Sequence, residues 1–187
     1  MNPVDIKKKL VIVGDDGVGK TCLLMVHVNG AFPKDSIPSF ETNESVFDNY
    51  TCKIQVKNQQ LLLQLWDTPG QEEFDVIRPY SYPGTDMVLL CFSVASRESF
   101  MNAQTKWREE LRQHCPKAEI VLVGTKCDLR ETSPSECIKI EECKEAMRKT
   151  GAVAYKECSA LKNTGVREAF EEAIVQMTDE GKKCVIL

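Results

Sequence analysis

The sequence predicts an α/β protein: a mostly parallel six-stranded sheet with one antiparallel edge strand and helices on both faces. Three observations predict it. Short apolar runs alternate with stretches of helical periodicity, the pattern of repeated strand–helix units. Two segments that alternate apolar and polar residues are joined by a short turn, which adds an antiparallel strand. A glycine-rich turn, GDDGVGKT, connects the first apolar run to the first helical stretch.

Taken in order, Leu10–Val13 reads as a buried strand. Thr21–Val28 reads as a helix stopped by Asn29 and Gly30. Tyr50, Cys52, Ile54 and Val56 alternate with polar residues, as in a half-exposed strand. The turn 57–60 then returns the chain into Leu61–Trp66. Met87–Val94 is a continuous apolar strand, and Phe100, Ala103, Trp107 and Leu111 share one helical stripe. Ile120–Val123 is another buried strand. Ile140, Cys143 and Met147 mark a helix ending near Gly151, and Val153–Cys158 reads as the last strand. Val166, Ala169, Phe170, Ala173, Ile174 and Met177 give the clearest helical stripe. The irregular segment Phe32–Glu44 is long for a compact domain, which marks it as functional or disordered.

The chain, 187 residues long, fits one domain, expected over 1–180, followed by a flexible tail over 181–187. A hydrophobic share of 42% with 28% charged residues is that of a soluble globular protein. The net charge of -4 argues against broad binding to nucleic acid. No apolar run approaches the roughly 20 residues of a membrane helix, and the N-terminus leads into a strand rather than a signal peptide. The nine cysteines are scattered singly and are odd in number, so reduced thiols in the cytoplasm are expected. Neither His27 nor His114 has metal-ligand spacing, so no zinc site is expected.

Gly14-x-x-x-x-Gly19-Lys20-Thr21 lies between a strand and a helix, the context of a phosphate-binding loop. Backbone N–H groups of Asp16 to Cys22 (Gly17, Val18, Gly19, Lys20 and Thr21 between them) at a helix start would point at phosphate oxygens, and the helix dipole favours negative charge. Lys20 brings a point charge to the β and γ phosphates, and the Thr21 hydroxyl reaches Mg²⁺. The loop alone indicates a nucleoside triphosphate and leaves the base open. Trp66-Asp67-Thr68-Pro69-Gly70-Gln71 follows the second hairpin strand. There Asp67 could hold Mg²⁺ through water, the Gly70 N–H could approach a γ-phosphate, and Gln71 could orient an attacking water. In Thr125-Lys126-Cys127-Asp128, a carboxylate could accept both the N1–H and the 2-amino group of guanine, a donor pair adenine lacks. Cys158-Ser159-Ala160-Leu161 offers a backbone N–H toward guanine O6.

With these motifs in this order the chain resembles a small GTPase of the Ras superfamily, with a P-loop Ras-like G domain, from about Lys8 to Leu187. Finer matches resemble the Rho branch: Arg78-Pro-Tyr-Ser-Tyr-Pro-Gly-Thr-Asp86, Lys106-Trp107, His114-Cys115-Pro116, Val123-Gly-Thr-Lys126 with Asp128-Leu-Arg130, and Val46-Phe-Asp-Asn-Tyr50. The resemblance implies a molecular switch that binds GTP and GDP with Mg²⁺ and hydrolyses GTP. It implies an exchange factor, a GTPase-activating protein (GAP), effectors on the two switches, and actin-linked signalling. The protein is expected to be a monomer.

The sequence departs from that pattern in four places. Asp15 matches a common Rho acid and is expected to face away from nucleotide. Asp16 stands where glycine is expected, against the γ-phosphate and Gln71. A carboxylate about 5 Å from that phosphate is repelled by roughly 3 kcal/mol per unit charge at an effective dielectric near 20. Its side chain would also crowd Gln71 and a GAP's arginine finger, itself worth about 10³–10⁵ in rate. Slow, GAP-resistant hydrolysis is the expectation, with an Asp16 that points into solvent as the alternative. The first switch is about six residues longer than the resemblance expects, an insertion of small closure cost. Its Mg²⁺-binding hydroxyl is Ser39, Thr42 or Ser45, depending on the alignment. Phe32 matches an aromatic that packs edge-on against guanine, and it also suits ordinary core. Pro69 replaces an alanine and stiffens the second switch. Finally, the span from Asp128 to Cys158 is shorter than in most Rho proteins, so the extra helix typical of that branch is expected to be absent.

The chain ends Cys184-Val-Ile-Leu187, a CaaX box whose final Leu predicts geranylgeranylation of Cys184. Lys182 and Lys183 each add about 1 kcal/mol at an anionic surface. One lipid and two lysines give modest anchoring. The expectation is a peripheral protein on the cytosolic face of membranes, the plasma membrane foremost, shuttled by a lipid-masking carrier of the GDI kind.

Overall fold

A computed structural model describes residues 6–33, 49–56 and 59–178. Six strands form one sheet in the order β2-β3-β1-β4-β5-β6: β1 (Ile6–Val13), β2 (Asn49–Val56), β3 (Gln59–Asp67), β4 (Met87–Ser93), β5 (Glu119–Thr125) and β6 (Ala154–Glu157). All neighbours are parallel except β2 and β3, which form the expected antiparallel hairpin. The α/β architecture read from the sequence is the one observed.

Side-chain alternation along β1 splits the core into two layers. Leu10 and Ile12 face one side, where α1 (Lys20–Asn29) and α6 (Val166–Met177) bury Leu23, Leu24, Ala169 and Phe170. Val11 and Val13 face the other. There they meet Phe100 of α2 (Arg97–Asn102), Trp107 of the π turn that follows, Leu111 of α3 (Arg108–His114) and Ala146 of α5 (Ile140–Thr150). Buried on both faces, β4 is apolar without interruption except for its last residue. Gly30 and Gly151, both left-handed, end α1 and α5 where the sequence placed the stops.

Besides strand ends that differ by one or two residues, three features depart from expectation. β1 starts at Ile6 rather than Leu10, because Ile6 to Lys9 pair with Leu61 to Gln64 of the hairpin. Three lysines hid this extension. One of them, Lys9, is buried, with its ammonium donating to the Pro83 carbonyl (3.0 Å) and lying 3.9 Å from the Trp66 ring centre. The Phe100–Leu111 stripe is not one regular helix: α2 passes through a π turn, Ala103–Trp107, into α3. The last strand is shorter than Val153–Cys158. Between β5 and β6 the described chain holds α4 (Leu129–Thr132), one 3₁₀ turn (Pro134–Glu136) and α5.

α1 and α6 meet through a ring stack. The His27 and Phe170 centres are 3.7 Å apart and the planes differ by 11°. Burial pushes the imidazole below its ordinary range, with the Glu171 carboxylate opposing. The unfolded chain therefore takes up a proton near pH 6.5 that the folded chain resists. Stability is complete above that pH and falls as pH drops through it. His27→Leu is expected to flatten the loss of stability between pH 7 and 5.5 in urea unfolding.

Candidate functional site

The site lies beyond the carboxyl ends of β1, β3, β4 and β5, where sheets of this kind bind ligands. β1 delivers the chain to Gly14, whose φ of +145° and position forbid a side chain. A Cβ there would lie 2.2 Å from the Cys91 carbonyl oxygen of β4. The loop then turns through Gly17 (φ +68°) and Gly19 (φ +98°), and a Cβ on either would meet nothing within 4 Å. The glycines thus border open space. Val18 between them is buried and anchors the loop in the core. Gly19 caps α1, whose first-turn N–H groups have no carbonyl beneath them and face that space with the positive end of the helix dipole.

Lys20 is buried, and its Nζ donates to the Asp15 carbonyl at 2.7 Å. Burial pushes the ammonium below the ordinary lysine range; the Asp67 carboxylate is the main opposing influence. A nearby polyanion would favour the charged form. The Thr21 hydroxyl donates to Asp67 Oδ2 at 2.6 Å, and Asp67 ends β3 in register with Ile12. A hydroxyl and a carboxylate are hard oxygen donors, and no group of three or more His, Cys, Asp or Glu suited to a metal occurs among the described residues. That donor set fits Mg²⁺, which takes one or two protein oxygens and completes its shell with phosphates and water. Cys22, next along α1, is half-buried, and burial raises its thiol.

The strand-end segment after Asp67 is pressed against the loop. Thr68 donates to the Ile12 carbonyl at 2.6 Å. A Cβ on Gly70 would lie 2.4 Å from the Asp16 nitrogen and 2.5 Å from the Gly14 oxygen. No other residue allows this approach.

The two loop carboxylates point in different directions. Asp15 accepts from Asn102 Nδ2 at 2.8 Å and from the Trp107 indole N–H at 2.6 Å, away from the open space. Asp16 is exposed, yet it neither stands free in solvent nor merely crowds its neighbour. Its Oδ1 accepts from Gln71 Nε2 at 3.0 Å. Gln71 Oε1 is buried and has no hydrogen-bond partner among the described residues. The loop can therefore contain two acids because one is absorbed by the α2–α3 segment and the other by the glutamine.

The opposite wall comes from β5 and β6. Thr125 donates to the carbonyls of Val18 (2.6 Å) and Phe92 (2.9 Å). Lys126 adopts a left-handed φ of 58° and its Nζ donates to the Gly17 carbonyl at 2.7 Å. Both residues brace the glycine loop. Asp128 is half-buried at the start of α4, and no hydrogen bond or ion pair holds its carboxylate among the described residues. Ser159 is buried and exchanges backbone hydrogen bonds with Thr164, while its hydroxyl accepts from the Lys162 N–H. Cys127 N–H donates to the Cys158 carbonyl, joining the two base-side loops. Ala160 packs on the core and Leu161 is exposed. Phe32 also packs on that core layer.

Thus Lys20, Thr21, Asp67, Gly70, Gln71, Thr125 and Lys126 are tied to the glycine loop, and the Cys127–Cys158 hydrogen bond joins the loops that carry Asp128 and Ser159 beside Lys126. Ser39, Thr42, Ser45 and Cys184 lie outside the described residues. Sequence reasoning missed the roles of Asn102 and Trp107, which hold Asp15 from the α2–α3 side, and of Arg78, which holds the Pro69 and Gln71 carbonyls from the 3₁₀ turn before β4. The signal available was Trp107 on an apolar helical stripe; nothing in the sequence marks Arg78 as buried.

Comparison with models of known protein families matches residues 9–179 to the Ras family. Proteins of that family bind GTP or GDP with Mg²⁺ and work with exchange factors, GAPs and effectors. The match spans nearly the entire described fold, and the chain belongs to the Ras family as a small GTPase that binds guanine nucleotide.

Proposed function

We propose that this GTPase is a Rho-type switch that hydrolyses GTP slowly and resists GAPs. The hydrogen bond from Gln71 to Asp16 carries this reading. A glutamine that orients the attacking water needs its amide free, and here the donor end is held by a carboxylate. Catalysis of phosphoryl transfer rests on positioning and charge stabilisation. Lys20 and the amides of residues 16–22 hold the phosphates. Thr21, Asp67 through water, and one hydroxyl of Ser39, Thr42 or Ser45 would hold Mg²⁺, which neutralises charge on the β and γ phosphates. Gln71 Oε1 is buried in this arrangement, so the side chain must turn before that oxygen can accept from water. The Asp128 carboxylate accepts the two guanine donors, the Ala160 N–H faces O6 between Ser159 and Leu161, and Phe32 closes the edge of the base.

Rho-like segments such as Arg78–Asp86 support the branch assignment, with effectors on the switches and actin signalling downstream. Geranylgeranylation at Cys184 would place the protein on the cytosolic face of the plasma membrane, in exchange with a GDI-like carrier. Replacing Cys184 with Ser is expected to move it from membrane to cytosol in a fractionation assay; unchanged recruitment contradicts the lipid anchor.

The Asp16–Gln71 bond also favours a second reading, a GTP-binding interaction module with little or no hydrolysis. Phosphate release from preloaded GTP separates the two. Slow release with retained nucleotide supports the enzyme; none over many hours supports the module.

A further inference from the structure

Arg78, in the 3₁₀ turn Arg78–Ser81, is fully buried and uses all five of its N–H donors. Nε and Nη2 grip Glu110 at 2.8 and 2.7 Å, and Nη2 also donates to Asp75. Nη1 donates to the carbonyls of Pro69 (3.0 Å) and Gln71 (3.4 Å). Those carbonyls flank Gly70, whose backbone touches the glycine loop. The guanidinium lies 4.4 Å from the centre of the Trp107 ring. Trp107 closes the π turn, a feature frequent at functional sites, and its indole N–H holds Asp15. The contacts form a closed ring: Asp16 to Gln71, Gln71 through its carbonyl to Arg78, Arg78 to Trp107, Trp107 to Asp15, the neighbour of Asp16.

We infer that Arg78 and Trp107 are positioning residues that set the Gln71 backbone against the phosphate loop and couple the second switch to it. The inference rests on the GTPase reading above. Five donors in a fixed fork fix two carbonyls, a carboxylate pair and an aromatic face at once; lysine, with three donors on a flexible stem, cannot. Pro69 strengthens the arrangement, because its φ is fixed on the segment Arg78 holds. A shift of the loop around a γ-phosphate therefore reaches the indole through Asp15 and the guanidinium through Gln71 together.

The test uses the full chain with Arg78→Lys, Trp107→Phe and the double variant. Trp107→Phe retains a benzene ring for the guanidinium and deletes the donor to Asp15 together with the pyrrole half of a fully buried indole. A thermal melt of the variant separates that loss of packing from lost positioning, so it decides the matter even where Arg78→Lys folds poorly. GTP affinity is expected to stay within about twofold, while single-turnover hydrolysis slows about tenfold in each single variant, as misplaced catalytic groups do. Because the two residues act in one network, the double variant is expected to be no slower than the slower single. A second readout needs no hydrolysis. Trp66→Phe leaves Trp107 as the lone tryptophan of two, and its emission is expected to change when GDP is exchanged for a non-hydrolysable GTP analogue. Adding Arg78→Lys, or where that fails to fold Asp15→Asn, is expected to abolish the change. Wild-type hydrolysis in both single variants, multiplying rate losses, or nucleotide-insensitive Trp107 emission overturns the inference. Failure of the wild-type chain to retain GTP overturns the GTPase reading instead.

Discussion

Replacing Asp16 with glycine is expected to raise GAP-stimulated, single-turnover GTP hydrolysis by about 10³-fold or more, the range an arginine finger supplies. Two effects act in the same direction. The variant frees the Gln71 amide from the 3.0 Å bond that holds it, and it removes the exposed side chain that the Rho resemblance sets in the way of an inserted arginine finger. The intrinsic rate is expected to rise less, since it gains only the freed glutamine. Asp16→Asn separates charge from bulk: it removes the negative charge but keeps the volume, so its GAP response is expected to remain low. A glycine variant with no gain in GAP response would contradict the role assigned to Asp16.

Lys20→Met is expected to weaken GTP binding roughly a hundredfold, the range of a lost hydrogen bond to a charged group. The Tm of nucleotide-free protein is expected not to fall. These opposite directions follow from the environment. Burial disfavours the ammonium in the free protein, and the Asp67 carboxylate offsets this only in part. A methionine of similar length removes that cost, whereas the phosphates lose their cation. Isothermal titration with GTP and a thermal melt without it read the two effects separately. A large drop in free-protein Tm with unchanged affinity would make Lys20 a structural residue.

Much of the sheet was legible because its strands are short, apolar and bounded by turn residues, and because the helical stripes of α5 and α6 repeat cleanly. The glycine loop was legible as a motif: Gly14, Gly17 and Gly19 each meet a local backbone demand that sequence spacing reveals. The start of β1 was not, since three lysines in a row do not read as an apolar strand, while backbone pairing with β3 holds Lys7 to Lys9 in the sheet and the Trp66 face covers Lys9. Nor was the π turn, which changes the register of a helix without changing its composition. The partners of Asp15 and Asp16 were hidden for another reason. Asn102 and Trp107 lie far along the chain from Asp15, and Gln71 far from Asp16, so their meeting is a property of the fold. For Asp16 the sequence offered repulsion or solvent, and the fold supplied a third outcome, a hydrogen bond. The hydroxyls of Ser39, Thr42 and Ser45 compete because counting from the loop and from Val46 gives different registers.

The most direct measurement is a competition for the purified protein between labelled GTP and excess unlabelled ATP or GTP, with and without Mg²⁺. Clasping of phosphates by Gly14–Thr21 and reading of guanine by Asp128 predict that GTP displaces the label and ATP does not, with tighter retention when Mg²⁺ is present. Equal displacement by ATP, or no retained nucleotide at all, would contradict the account.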